Sequence, residues 1–486
     1  MKILKKAVFL IVILIGFLIR TPYLNRPIID YHSWKQTETY AIAKKFSINN
    51  LNILKPVSNL KCDVKGECYT FNSFPLYEYI LGINFKIFGE NIVVVRVFSI
   101  TITLLTSIII FLITKEFFGF LTGLISLLIF NLLPFSVFWG RTVLPEILAV
   151  FLSTLSIYLI IKRKKYIALS AIVLGLSILI KPYFTSLLIP IIYYLWKKNK
   201  RIELALYVLI NLLLFILWNA YTYFLPQVKL AVSALSFNKY GISLFFNNQN
   251  PFLYSKSINW PLLLVQKIIE ILTPIGFILL IIGIIKNRYK KILFYWFLAS
   301  ILSFIIVING NFEHEYYQFI IIPIASIFIA ISISSFIKKF KKPNIYIIFL
   351  VLFTFFYWGW IPFSNYLISH YRPEVRYSNF YKDTKNIQSI IPKKESIIII
   401  GDESPTLLNH IDREGWIITQ DFSCSYSQAV NLIHKYKELG ASYLIIQLLP
   451  YNYYLETKHH SCLINNIEIN SKIIYKGEYL ILYKLI

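Results

Sequence analysis

Charge and cysteine are scarce in this sequence. Charged residues are only 15% of 486 positions, and long stretches carry none. That excludes an ordinary soluble domain, which is about 45–50% apolar. Here 57% of residues are hydrophobic and 17% aromatic, with a mean hydropathy of +0.62. Only four cysteines are present and no CxxC, so a zinc site at finger-like spacing finds little support. Gly401 follows an apolar run alone, without a GxGxxG fingerprint, so no nucleotide site is expected. No acidic cluster marks a metal site, and neither metal nor cofactor is expected. The net charge of +25 is not a nucleic-acid footprint, because the basic residues fall in short clusters between apolar runs.

The apolar runs set the architecture. The first, Ala7–Ile19, follows Lys2, Lys5 and Lys6 and lacks a small-x-small cleavage site. It reads as an uncleaved span with the N-terminus in the cytoplasm. Further runs lie at 74–88, 94–114, 119–138, 146–161, 166–180, 184–196, 203–224, 262–285, 292–308, 318–337 and 344–362. Basic clusters separate them at Lys115, 162–165, 197–201, 286–291 and 338–342. Placing 74–88 at the interface puts every cluster on the cytoplasmic side, as the orientation bias demands. That segment is short and carries Pro75, Glu78, Asn84 and Lys86. The expected fold is therefore a polytopic α-helical membrane protein of about eleven spans plus one interfacial segment.

This parity predicts a membrane domain over 1–362, with outer loops at 21–93 and 225–261, and an extracytoplasmic tail over 363–486. Cys62, Cys68, Cys424 and Cys462 then all lie outside, where disulfides persist. Cys62–Cys68 and Cys424–Cys462 are the natural pairings. In the tail, strand patterns at 396–401, 416–420 and 442–447 alternate with helical patterns at 403–413 and 428–439, the latter stopped by Gly440. A closing hairpin follows at 472–484. This predicts a small α/β domain capping the membrane part.

The most informative stretch follows the first span: Ile29-Asp30-Tyr31-His32-Ser33-Trp34-Lys35-Gln36-Thr37-Glu38. Ser33 and Gln36 have capping-box spacing, which predicts a helix from Trp34 with Asp30 just ahead of its N-terminus. The parity gathers other ionisable residues on the same face. They are Arg96, Arg141 and Glu146, Lys181, and the turn Glu313-His314-Glu315-Tyr316-Tyr317. Each alone reads as an interface anchor; together they predict chemistry on a charged substrate.

The segment Asp30-Tyr31-His32-Ser33-Trp34-Lys35-Gln36 resembles the first-loop motif of the GT-C glycosyltransferases. The likeness is to the branch holding protein O-mannosyltransferases and lipid A aminoarabinose transferases. Lys35 stands where Arg is usual there. Phe74-Pro75-Leu76-Tyr77 with Gly89 and Arg96, the Arg141–Glu146 turn, Leu179-Ile180-Lys181-Pro182 and His314-Glu315-Tyr316-Tyr317 are similar to later motifs of that branch. The resemblance covers roughly 1–330.

It implies transfer of a sugar from a polyprenyl-phosphate donor to a hydroxyl of a glycan, lipid or protein acceptor at the outer membrane face. Asp30 is the expected general base, with Glu146 orienting Asp30 or the acceptor. Lys181, Arg141, His32 and Lys35 are expected to meet the donor phosphate. Trp34, Gln36, His314, Glu315 and Tyr316 are expected at the substrate. One base with direct displacement predicts inversion. A flippase for lipid-linked saccharides is the alternative; it would line a mid-membrane path with charge. The spans are nearly charge-free, Lys267 and Glu270 excepted, and hydropathy shows no inverted repeat. An oligosaccharide ligase would share the same outer-face chemistry.

Overall fold

The computed structural model describes residues 2–49, 51–62, 68–70, 73–162, 164–224, 228–229, 260–287, 290–307, 311, 314–338, 367–368, 370–371, 375–401, 405–419, 426–448 and 471–485. The run 344–362, most of 225–261, Glu313 and the pairing Cys424–Cys462 lie outside the described residues.

Helix α1 (Lys2–Leu18) enters the bundle, and α2 (Ser33–Ile48) follows across the first loop. Two short strands, β1 (Tyr69–Thr70) and β2 (Val228–Lys229), pair in parallel. The predicted interfacial segment is a short helix, α3 (Leu76–Phe88), which packs against α2. Next comes α4 (Ile92–Phe118), capped by the side chain of Asn91. Among the described residues three helices are long and apolar enough to cross a membrane: Ile92–Phe118, Arg201–Phe224 and Glu315–Ile337. Shorter apolar helices lie between them, including Phe120–Leu132, Glu146–Lys162, Ile167–Ile180 and Lys291–Ile306.

Two sequence expectations change here. The run 262–285 is not one straight span: it breaks at Thr273, and its two halves are bent by 104°. Thr273 caps the second half by accepting a hydrogen bond from the Gly276 amide, and Pro274 fits the first helical turn. Likewise α2 begins at Ser33, not Trp34. His32 takes the capping position in a left-handed conformation (φ 55°), and Gln36 turns its side chain away from the helix end.

Burial separates helix roles. Glu315–Ile337 is enclosed by its neighbours, with Ile324, Ile327 and Phe328 fully buried. Arg201–Phe224 exposes Leu206, Leu209, Leu213 and Leu217 along its length. Exposed apolar area costs roughly 25 cal/mol per Å² in water, so these side chains fit a lipid environment.

The tail forms a five-stranded sheet from β3 (Ser396–Gly401), β4 (Gly415–Thr419), β5 (Ala441–Gln447), β6 (Ser471–Lys476) and β7 (Leu480–Leu485), in spatial order β4-β3-β5-β7-β6. β3 runs parallel to β4 and β5, and β7 closes antiparallel between β5 and β6. Helix Tyr426–Glu438 ends before Gly440, whose φ of +100° suits glycine.

The sheet is docked on the first loop. The Lys61 amide donates to Gly415 O at 2.8 Å, and the Gly415 amide donates to Asn59 O at 2.9 Å. A Cβ at Gly415 would meet Ile397 O at 1.9 Å, so glycine permits β4 its position beside β3. Trp416 Nε1 donates to Cys62 O at 2.8 Å, and Cys62 is disulfide-bonded to Cys68 as predicted. Lys44–Asp412 (2.8 Å) and Lys45–Glu414 add ion pairs between loop and sheet.

Candidate active site

Asp30 lies just ahead of α2 and is buried. One carboxylate oxygen accepts from Gln36 Nε2 at 2.9 Å, and the other faces Arg96 at 3.3 Å. Gln36 also donates to Tyr31 O at 2.9 Å and accepts from the Val143 amide at 3.1 Å. One amide side chain thus ties Asp30 to the 141–146 turn. A glutamine used as a capping box would have spent these bonds on the helix end.

The guanidinium groups of Arg96 and Arg141 hold the loop that carries Asp30. Arg96 donates to the carbonyls of Tyr23 (2.6 Å), Leu24 (3.0 Å) and Arg26 (2.7 Å). Arg141 donates to Pro22 O and, at 3.4 Å, to Tyr23 O, and it stacks over the Tyr371 ring at 4.6 Å. Arg141, expected at the donor phosphate, is therefore a loop clamp in this structure.

Lys181 follows helix Ile167–Ile180 and pairs with Glu146 at 2.5 Å, while lying 5.3 Å from the Tyr317 ring centre. Glu146 opens its helix, where the dipole favours a carboxylate. Glu146 is thus a partner of Lys181, not of Asp30. Lys35 pairs with Glu38 at 2.7 Å, both buried. Glu78, on α3, which is not one of the three span-length helices, is buried with Oε2 unpaired. Burial pushes its carboxyl up to about 7, against the opposing pull of the Lys35 and Lys181 ammonium groups. Lys35, Glu38, Glu78, Glu146 and Lys181 therefore form one buried charged cluster.

His32 sits in an aromatic enclosure. Its ring centre is 4.3 Å from Tyr31, 5.2 Å from Tyr316, 5.4 Å from His314 and 5.8 Å from Trp139. Burial, followed by repulsion from His314, pushes His32 down to about 3. The ring is neutral at pH 7, so it offers a hydrogen bond and not the positive charge expected of it. Trp34 lies 5.8 Å from His314, and His314 stacks on Tyr316. Glu315 pairs with His370 at 3.4 Å.

The structure thus brings residues 30–38, 141–146, 181 and 314–317 together, as their shared face predicted. Sequence reasoning missed His370, which packs 4.4 Å from Tyr31, and Tyr371 beneath Arg141. They follow an apolar run as an isolated His-Tyr pair, with no periodic signal to mark them.

The helical bundle with its C-terminal sheet has the fold of the GT-C glycosyltransferases. ArnT from Cupriavidus metallidurans, solved bound to undecaprenyl phosphate, aligns over 99% of this chain and 97% of its own, with TM-score 0.65 and 12% identity. The Archaeoglobus fulgidus oligosaccharyltransferase, solved with zinc and sulfate, aligns over 90% of this chain and 68% of its own (TM-score 0.59, 12% identity). Mycobacterial arabinofuranosyltransferase AftD aligns over 98% of this chain but 41% of its own (TM-score 0.57, 12% identity). In sequence, residues 72–225 match the dolichyl-phosphate-mannose-protein mannosyltransferase family, about a third of the chain. No curated protein matches.

Proposed function

We propose that this protein is a glycosyltransferase that moves a sugar from a polyprenyl-phosphate carrier to an acceptor hydroxyl at the outer membrane face. The observation carrying this reading is the buried Asp30 carboxylate, fixed by Gln36 and Arg96 beside a lysine–carboxylate cluster on a glycosyltransferase fold. The undecaprenyl phosphate bound by ArnT supports a lipid-phosphate donor. In this reading the N-terminus is cytoplasmic, and residues 363–486 form an extracytoplasmic domain over a membrane domain of 1–362.

Asp30 takes the proton of the acceptor hydroxyl as its oxygen attacks the anomeric carbon. The bond from that carbon to the phosphate oxygen breaks, and the lipid phosphate leaves with the electron pair. Lys181 exchanges Glu146 for the departing phosphate, with Lys35 adding positive potential. Gln36 keeps Asp30 aligned with the 141–146 turn. His32, Trp34, His314, Glu315 and Tyr316 form the wall that the sugar meets. The acceptor is a glycan, lipid or protein.

The test is a transfer assay on membranes with a panel of polyprenyl-phosphate sugars. At least one donor is expected to yield product with the wild type and none with Asp30→Asn. Equal transfer by both would overturn Asp30 as the base.

A further inference from the structure

A cavity of about 420 Å³ lies between the first loop and the tail, away from the Lys181–Glu146 pair. Its size falls in the roughly 300–1,000 Å³ range of small-molecule sites. Its walls come from both parts of the chain: Pro27, Tyr40 and Lys44 on one side, Tyr381, Gln388 and His410 on the other.

The lining chemistry is specific. Formal charge cancels, with Lys44 and Lys385 set against Glu90 and Asp412. Much of that charge is already paired: Lys44 bridges Glu90 at 3.0 Å and Asp412 at 2.8 Å, and Tyr40 donates to Glu90 at 3.0 Å. The rest of the wall carries carboxamides, from Asn25, Asn59, Asn91, Gln388 and Asn409. Asn59 donates to Asn409 at 3.2 Å, Gln388 accepts from Lys385 at 2.8 Å and Asn91 accepts from the Val93 amide at 2.8 Å, each bond using only part of an amide's hydrogen-bonding capacity. Two buried polar atoms on the wall lack a hydrogen-bond partner among the described residues, Asn409 Nδ2 and His410 Nε2. His410 is only 8% exposed, and burial keeps its ring neutral by pushing it down to about 3. Both atoms are shielded even from water, so the polar groups that the cavity exposes, not this pair, would meet a ligand.

A phosphate would want net positive charge, and an apolar ligand would leave the remaining donors and acceptors of the amides without partners. An uncharged polyol fits. Carboxamides both donate to and accept from hydroxyls, and tyrosine rings offer faces to sugar C–H groups. We infer that this cavity is a saccharide-binding site that holds an uncharged sugar unit of the acceptor between the first loop and the sheet domain. Calling that sugar an acceptor rests on the proposed transfer reaction; the binding itself does not.

The test uses the purified full-length chain in nanodiscs without donor. Binding of methyl α-mannoside, lactose and diacetylchitobiose is followed by saturation-transfer NMR, with inorganic phosphate as the charged competitor. At least one saccharide is expected to bind. Tyr381→Ala and Gln388→Ala, at half-buried positions, are expected to weaken it about tenfold, a loss of about 1.4 kcal/mol, with unchanged melting temperature. Binding should survive Asp30→Asn, which separates failure of this site from failure of the transfer reading. No saccharide binding, binding indifferent to both variants, or displacement by phosphate would each overturn the proposal.

Discussion

The two ion pairs of the candidate site, Asp30–Arg96 and Glu146–Lys181, are held in different ways. Asp30 is gripped on both oxygens, by Gln36 and Arg96, and Arg96 is itself fixed by three carbonyls of the loop. Lys181 and Glu146 hold each other by one short contact, backed by the Tyr317 ring. The first pair is rigid and its geometry is over-determined. The second is a point contact whose flexible ammonium can change partner. A base must stand still, whereas a group that receives a leaving phosphate must move to it.

The largest effect separates chemistry from scaffold. Asp30→Asn keeps the shape and the Gln36 contact but removes the proton acceptor. Transfer is expected to fall by the 10²–10⁴-fold typical of a lost general base or further, measured by radiolabelled product. Arg96→Leu attacks the scaffold instead. It strands a buried carboxylate and three carbonyls, and about 3–5 kcal/mol of stability should go with it. A larger loss of melting temperature for Asp30→Asn than for Arg96→Leu would reverse the comparison.

Lys181→Ala should lower donor kcat/KM by about tenfold, the size of one charge-assisted bond of about 1.4 kcal/mol. Glu146→Gln sharpens the point, because it releases Lys181 from its partner. Binding of the departing carrier should tighten, or at least not weaken, in titrations with undecaprenyl phosphate. Equal weakening by both substitutions would mean the pair is purely structural.

The smallest effect is in pH dependence. His32 is pushed from its ordinary value near 6.5 down to about 3, with burial the main cause. The unfolded chain therefore takes up this proton first as pH falls. The ring's contribution to stability is complete above pH 6.5 and declines toward pH 3. Melting curves across that window should flatten in His32→Gln, and the wild-type rate profile should show no step near 6.5 from this ring.

Legibility in the sequence followed the strength of the local physical signal. The tail was readable because strand and helix periods alternate cleanly, and Gly440 stopped its helix where expected. That 74–88 forms only a short helix, α3, was readable from its polar residues and short length. The break at Thr273 was not, because the apolar run continues through it and only Pro274 hints at a restart. At the site, the gathering of 30, 141, 146 and 181 followed from topology. The pairing within it did not: Glu146 with Lys181 and Arg141 with backbone carbonyls are decided by side-chain reach in three dimensions. Asp30 was the clearest residue in the sequence, and its Arg96 partner 66 positions away is a contact that only folding reveals.

The most direct measurement of the central claim is the anomeric configuration of the product, read by NMR against that of the donor. A single carboxylate acting as base on the acceptor requires one displacement and an inverted centre. Retention would contradict it, because double displacement needs a second carboxylate as nucleophile, typically about 5–5.5 Å from the first.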